Sequence, residues 1–162
     1  DLLRVAGQGE PAAGRPLHLL GRVLDPAGRT VDGALVEIWQ CDAHGVYHHP
    51  LDSGRRGRSA DPRFQGYGRS ETEADGGYRF RTIRPVAYPG RAPHIHVRVT
   101  APNFNPLTTQ MYVAGEPLNE ADFLLARIRD AAARERVIVP LDPLPAAESA
   151  ELVGVSDIIL GA

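Results

Sequence analysis

The segment 94–100, HIHVRVT, constrains the fold more than any other part of the chain. Three aliphatic residues alternate with His94, His96 and Arg98, and in a β-strand such alternation puts the two sets on opposite faces. A helix would mix the two sets, because its period is 3.6 residues. The pattern therefore predicts a half-buried strand whose histidine face looks into a site or into solvent.

Turn-forming residues divide the rest of the chain, which has 17 glycines and 14 prolines in 162 residues. Between these turns lie further short runs with β-strand composition, at 16–25, 33–40, 72–83, 107–117, 136–141 and 156–160. About seven short strands predict an all-β fold, an antiparallel sandwich or barrel.

A single helix is predicted from about Leu118 to Arg129. Asn119 can cap it, Asp122 lies near the positive end of its dipole, and an apolar stripe follows from Phe123, Leu124 and Ile128. The segment from Asp130 to Arg136 is interpreted as a solvated polar stretch.

The length favours a single domain over residues 1–162, with residues 1–15 as an N-terminal arm and a long polar loop at 42–69. The chain does not begin with Met, which indicates a processed or trimmed N-terminus. A cytoplasmic location is the default expectation, and export through a removed signal peptide is the alternative.

Composition excludes several classes of function. A net charge of −2 gives no electrostatic reason to expect a nucleic-acid partner. No apolar run approaches the roughly 18 residues of a membrane span. All 18 cations are arginine, which excludes chemistry based on a lysine Schiff base. The single Cys41 excludes an internal disulfide and multi-cysteine metal sites.

His94 and His96 stand on one strand face, so both imidazoles can converge on one metal ion. No carboxylate follows in residues 97–100, but Tyr88 precedes His94 by six residues and Tyr47 lies in the long loop. Two phenolates and two imidazoles would suit Fe(III), because a strong Lewis acid keeps tyrosine ionised at neutral pH. The alternatives are two exposed or cross-strand-paired histidines and a loop tyrosine packed on the core.

The sequence resembles the intradiol ring-cleavage dioxygenases, the group of protocatechuate 3,4-dioxygenase and catechol 1,2-dioxygenase. The resemblance rests on GRVLDPAGRTVDGALVEIWQCDAHGVYHH, then RFQGYGRSETEADGGYRFRTIRPVAYPGRAPHIHVRV, then LTTQMYVAGEP, which together span about residues 21 to 117. The order of its motifs is a tyrosine after the LVEIWQ strand, a Tyr-Pro, a His-x-His and a Thr-Gln. This resemblance implies a β-sandwich fold.

The resemblance also implies roles for individual residues. Four of them match the ligands of a non-haem Fe(III) ion: Tyr47, Tyr88, His94 and His96. Tyr88 matches the ligand that substrate displaces and that can act as a base. Arg91 and Gln110 match the groups that stabilise the activated substrate, and Trp39 matches a tryptophan lining the pocket.

The implied function is cleavage of a catechol-type ring with O₂ to a cis,cis-muconate-type dicarboxylate. The alternatives are a non-catalytic β-sandwich binding module and an enzyme using another metal at the same His/Tyr site. The sequence departs from the family in a short Tyr88–His94 interval, with Gly90 where the protocatechuate enzymes have tryptophan. These departures predict an open pocket and a broad substrate range. Arg55, Arg56 and Arg58 are interpreted as a solvated run in the long loop.

Overall fold

The computed structural model describes residues 1–7, 9–49, 59–144 and 150–161. Arg55, Arg56 and Arg58 lie outside these residues. The strands within them are β1 (Pro16–Leu24), β2 (Leu35–Trp39), β3 (Tyr67–Glu71), β4 (Gly77–Ile83), β5 (His94–Thr100), β6 (Leu107–Val113), β7 (Ile138–Val139), β8 (Leu141–Pro143), β9 (Leu152–Val155) and β10 (Ile158–Ile159). The helical elements are two 3-10 helices, Pro117–Ala121 and Leu125–Arg127, and α1, Ala131–Arg136.

The strands form two five-stranded sheets. In the first, β1 pairs with β4 along one edge and with β9 and β10 along the other, and β8 pairs with β9. The second sheet has the order β3-β2-β5-β6-β7. The apolar faces of both sheets contribute to one buried cluster, so the prediction of an all-β sandwich is confirmed.

Strand β5 lies in the middle of the second sheet, as its alternating pattern indicates. Ile95, Val97 and Val99 are at most 2% exposed and join the core. Burying an aliphatic side chain of this size stabilises the fold by about 1.5–3 kcal/mol. Because β5 is paired with both β2 and β6, its polar face is held in a fixed position by ladders on both sides.

The predicted helix from Leu118 to Arg129 is wrong. The structure has the two 3-10 helices there, and Asp122 adopts an extended backbone conformation between them. The Asp122 carboxylate accepts the backbone N–H groups of Leu124 and Leu125, which closes a turn and interrupts the helix. Asn119 makes no capping bond there, and Phe123 is 53% exposed rather than part of a buried stripe.

The only α-helix among the described residues is α1, in the segment interpreted above as a solvated polar stretch. Asp130 caps it by accepting the backbone N–H of Ala133. The helix buries no residue, so the segment has no apolar stripe from which a helix could be predicted.

Two further features differ from the sequence-based expectation. Strand β3 begins inside the predicted loop 42–69 and continues to Glu71, and its exposed or half-buried, mostly polar residues gave no strand signal. The pairs β1–β9, β1–β10 and β6–β7 are parallel, so the sandwich is antiparallel only in part.

The N-terminal arm is anchored, because Leu2 and Leu3 are buried and Leu2 donates its N–H to the carbonyl oxygen of Arg81 on β4.

Candidate metal centre

The two histidines lie on the polar face of β5. His94 is opposite Tyr112 of β6, and His96 is opposite Gln110 on one side and Trp39 of β2 on the other. The Trp39 indole stacks on the His96 imidazole with a centroid separation of 4.9 Å and an interplanar angle of 3°. The sheet register therefore fixes both the position and the ring plane of His96.

The tautomer of His94 is set by its backbone surroundings. Its Nδ1 lies 2.6 Å from the carbonyl oxygen of Ala92, which can only accept a hydrogen bond. Nδ1 therefore carries the proton and the lone pair of Nε2 points away from the backbone. Such a bond is typical of the outer contacts that orient metal-binding histidines.

Tyr47 is held by a turn built on Asp42, whose side chain is fully buried. One Asp42 carboxylate oxygen accepts the N–H groups of His44 and Val46, and the other accepts the N–H of Asp61 at 2.7 Å. A single carboxylate thus ties the residues just before Tyr47 to the far end of the long loop.

Tyr88 and Arg91 form the two ends of a four-residue β-turn. The N–H of Arg91 donates to the carbonyl oxygen of Tyr88 at 2.9 Å, and Pro89 and Gly90 occupy the corners. Gly90 has φ +82°, as the third position of a type II turn requires. The turn brings the Arg91 Nη1 to 3.4 Å from the phenol oxygen of Tyr88.

The four donor atoms meet at one place. Tyr88 Oη lies 3.4 Å from His94 Nε2, which lies 3.3 Å from His96 Nε2. His96 Nε2 in turn lies 3.1 Å from Tyr47 Oη. Donors that share one ion at about 2.0–2.2 Å are separated by distances of this size, so the arrangement fits a metal ion.

The charge states of these groups also fit a metal. Burial lowers the pKa of His94 and lowers that of His96 to about 4, so both rings are neutral at pH 7 and can donate lone pairs. Burial, and then the neighbouring Tyr88, raise the pKa of Tyr47, so only a strong Lewis acid would ionise it. Two phenolate oxygens and two imidazoles are donors that suit ferric iron.

Arg91 belongs to a second buried cluster beside the donors. Its Nε donates to Asp122 Oδ2 at 2.9 Å, and its Nη2 donates to Gln110 Oε1 at 2.6 Å. The single hydroxyl proton of Tyr112 is shared between Gln110 Oε1 at 2.6 Å and Asp122 Oδ1 at 3.1 Å. The Gln110 amide nitrogen then faces His96 Nδ1 at 3.2 Å. The structure therefore brings Arg91, Gln110 and the four donors together, as expected from the sequence.

A cavity of about 790 Å³ opens beside the donors and is within the usual range for small-molecule sites. The structure places Trp39 in its wall, along with Gln40, Gly45, Val46, Tyr47, His48, His49, Gln65, Gly66, Tyr67, Tyr88, Pro89 and His96. Arg91 and Gln110 are not in this wall. Gln110 and His96 instead line a second cavity of about 290 Å³ on the side of β6 and Leu124.

Sequence reasoning missed Asp42, Tyr112 and Asp122. Each is buried and acts through hydrogen bonds that no local pattern reveals, although Tyr112 does share a strand face with Gln110.

Among the described residues, no group of three or more His, Cys, Asp or Glu side chains could hold a metal ion. The described residues also contain no helix long and apolar enough to span a membrane.

Almost the whole chain is similar to known proteins. A protein-family model described as dioxygenase matches residues 1–160. The chain is 40% identical over 146 residues to the protocatechuate 3,4-dioxygenase beta chain of Burkholderia cepacia, covering 85% of this chain and 61% of that protein. It is 33% identical over 144 residues to catechol 1,2-dioxygenase 1 of Acinetobacter lwoffii, covering 78% of this chain and 43% of that protein.

Solved structures give the same result. The dioxygenase domain of a dioxygenase carbohydrate-binding protein fusion from Streptomyces sp. SirexAA-E superposes with a TM-score of 0.69 at 30% identity, covering 99% of this chain and 86% of that one. Catechol 1,2-dioxygenase from Acinetobacter sp. ADP1 superposes with a TM-score of 0.73 at 27% identity, covering 98% and 55%. The chain spans 43–61% of the length of the first curated relatives that it matches.

Proposed function

The chain belongs to the intradiol dioxygenase family, and from this membership we propose that it is a non-haem Fe(III) enzyme that cleaves a catechol-type ring with O₂. The observation that carries the proposal is the convergence of Tyr47, Tyr88, His94 and His96, with distances of 3.1–3.4 Å between neighbouring donor atoms. Ferric iron held by these four residues would bind a catecholate and activate it toward O₂.

The residues around the donors support this chemistry. Tyr88 Oη is the base that takes a proton from a substrate hydroxyl group, and the Arg91 guanidinium lies 3.4 Å from that oxygen. A cation in this position stabilises negative charge on any oxygen atom that lies near Tyr88 Oη. Arg91 is 10% exposed in its side chain and always charged, so little solvent screens this effect.

The overall reaction balances without a further reductant. A catechol, C₆H₆O₂, and one O₂ give a dicarboxylic acid, C₆H₆O₄, so both oxygen atoms enter the product and the ring carbons are oxidised. The named relatives include catechol, hydroxyquinol and protocatechuate dioxygenases, which supports an ortho-dihydroxybenzene as the substrate class.

The pocket supports a broad substrate range within that class. Among the described residues, no heavy atom beyond Gly90 and its two chain neighbours lies within 4 Å of the position of a Cβ atom on Gly90, so this side of the turn is open. A missing wall removes both favourable contacts and steric rejection. We expect the kcat/KM values for catechol, a carboxylated catechol and a chlorinated catechol to lie within about a thousandfold of each other, or about 4 kcal/mol.

Oxygen uptake by the iron-loaded protein with these three catechols tests the activity, and analysis of the product tests the position of cleavage. A coloured protein with one ferric ion per chain and a muconate-type product is the expected result. A protein that binds iron but takes up no oxygen with any catechol would favour a binding module. Stoichiometric zinc in a colourless protein with hydrolase activity would favour the other-metal alternative.

A further inference from the structure

Asp122 is the most completely bonded carboxylate in the described part of the chain. Its side chain is inaccessible to solvent, and Arg91 Nε donates to its Oδ2 at 2.9 Å. The N–H of Ala92 donates to the same oxygen, while the N–H groups of Leu124 and Leu125 and the hydroxyl of Tyr112 donate to Oδ1. Asp122 is therefore held rigidly and can itself hold Arg91.

The guanidinium of Arg91 is planar, so fixing Nε against Asp122 also fixes the directions of the other two nitrogens. With Nε in this bond, Nη2 reaches Gln110 Oε1 at 2.6 Å and Nη1 faces Tyr88 Oη at 3.4 Å. Rotation of the plane would take Nη1 away from Tyr88 and would break the bond to Gln110.

We propose that Asp122 is a positioning residue that fixes the guanidinium plane of Arg91, so that Nη1 faces Tyr88 Oη and Nη2 holds Gln110. The carboxylate of Asp122 bonds to Arg91, Ala92, Tyr112, Leu124 and Leu125 and not to the four donor atoms, so it acts through Arg91. The inference rests on the proposed function for its effect on turnover, but the orientation of Arg91 can be measured without iron or substrate.

Electrostatics agrees with this geometry. Burial alone would raise the pKa of Asp122, but the hydrogen bonds from Arg91, Leu125, Ala92 and Tyr112 outweigh burial and lower the pKa to about 2. The carboxylate is therefore ionised throughout the neutral range and remains a full counter-charge to Arg91.

The substitution Asp122→Asn separates positioning from loop folding. An asparagine can keep its oxygen toward Leu124 and Leu125, where three donors meet, and must then turn its amide group toward Arg91 Nε and Ala92. That side loses its acceptor, so Arg91 loses the Nε bond and keeps only the 3.5 Å contact of its Nη2 with the remaining oxygen, while the turn at 122–125 keeps its bonds.

Asp25→Asn is the matched control. Asp25 accepts Arg29 Nε at 2.7 Å and the N–H groups of Ala27 and Arg29, so it has the same combination of one arginine and backbone donors. It lies in the turn between β1 and β2, and its side chain bonds to Ala27 and Arg29 rather than to Arg91.

The first measurement uses the metal-free protein. In ¹⁵N spectra of arginine side chains, the Arg91 Nε–H of the wild type should exchange with solvent at least about tenfold more slowly than the Nε–H of Arg29, whose side chain is 81% exposed. Asp122→Asn should remove this protection and Asp25→Asn should leave it intact. Fast exchange of the Arg91 Nε–H in the wild type would overturn the proposal without any variant. Unchanged protection of this proton in Asp122→Asn would overturn it as well.

The second measurement is a double-mutant cycle in the iron-loaded enzyme. Asp122→Asn should lower kcat by about 10-fold to 100-fold with KM changed by less than about threefold. In the background of Arg91→Ala it should change kcat by less than about twofold, because there is no guanidinium left to position. Fully additive effects would show that Asp122 does not act through Arg91. If the wild type cleaves no catechol, the proposed function fails while the exchange measurement still decides the role of Asp122.

Discussion

The two histidines and the two tyrosines of the proposed metal centre are placed by different kinds of backbone. His94 and His96 lie on β5, which has a partner strand on each side. Tyr47 and Tyr88 lie on turns, one organised by the buried Asp42 carboxylate and one by a Pro-Gly corner. The strand half of the centre, His94 and His96, is held by many weak and redundant ladder hydrogen bonds. The turn half, Tyr47 and Tyr88, depends on one or two residues in each turn. We therefore expect single substitutions outside the ligands to affect the turn half more.

The largest effect should come from removing a strand ligand. His96→Ala deletes one of four donors, and no neighbour can replace it because adjacent strand residues point to the other face. Since loss of an outer contact already costs about 10-fold to 100-fold in metal affinity, we expect more than about a hundredfold loss here. Iron per chain after gel filtration measures it. Arg98→Ala, on the same face of β5 but exposed, should retain its iron, and equal iron in both variants would refute the ligand assignment.

The next effect tests the turn half. Asp42→Ala leaves three backbone N–H groups without their carboxylate and should lower the free energy of unfolding by about 2 kcal/mol. In a chain of this size that corresponds to a fall in Tm of roughly 4–8 °C. Iron affinity should fall as well, because Tyr47 loses its fixed position. The exposed Asp32 gives the control Asp32→Ala, and a Tm equal to that of this control would mean that the turn does not need its carboxylate.

Acid should weaken the turn half through Asp61, which is joined to Asp42. Burial works against its charge, but the bonds from Arg63 and Ala13 lower its pKa to about 2, below the unfolded value of 3.8. The charged form is thus favoured by folding, so its contribution is complete above about pH 4 and is lost as the pH falls toward 2. The difference between the two pKa values corresponds to about 2.4 kcal/mol, and solvent screening at the partly exposed Arg63 reduces the expected contribution to about 1.5 kcal/mol.

Urea unfolding of wild type and Asp61→Asn at several pH values checks this effect. The difference in unfolding free energy should be largest above pH 4 and should shrink between pH 4 and 2. A difference independent of pH would show that the Asp61 charge does not contribute.

The smallest effect should come from the corner of the second turn. In Gly90→Ala the new Cβ atom meets no described residue other than its two chain neighbours, but it lies at φ +82°, which costs about 1 kcal/mol. Tm should therefore fall by roughly 2–4 °C. Among the described residues, none beyond its chain neighbours lies within 4 Å of a Cβ atom on Gly9, and Gly9 has no left-handed φ, so Gly9→Ala is the matched control. If both variants melted at the wild-type temperature, the turn would tolerate another conformation.

The sequence predicted the strand half better than the turn half for a physical reason. Alternation in β5 is a local pattern that burial of one face imposes, so His94 and His96 could be paired directly. The place of Tyr47 depends on Asp42 and Asp61, 19 residues apart, and the orientation of Arg91 depends on Asp122, 31 residues away. No local period encodes such contacts.

The helix predicted at 118–129 shows the same distinction. Its apolar spacing was compatible with a helix, but Asp122 bonds to Arg91 and to its own following N–H groups, and this tertiary bonding overrides the local preference. Strand β3 was missed because its own residues are mostly polar and show no strand pattern. Its conformation is set by pairing with β2, which lies far from it in the sequence.

The turn at 88–91 also determines where the pocket can be redesigned. Tyr88 and Arg91 are the ends of this turn, and Gly90 adopts a left-handed φ within it. Lengthening or randomising the segment would therefore disturb the Tyr88 phenol, the Arg91 guanidinium and the backbone turn together. The cavity wall also carries side chains that take no part in that turn: His48, His49, Gln65 and Tyr67. A directed-evolution library for new substrates should therefore vary these four residues and leave the turn unchanged.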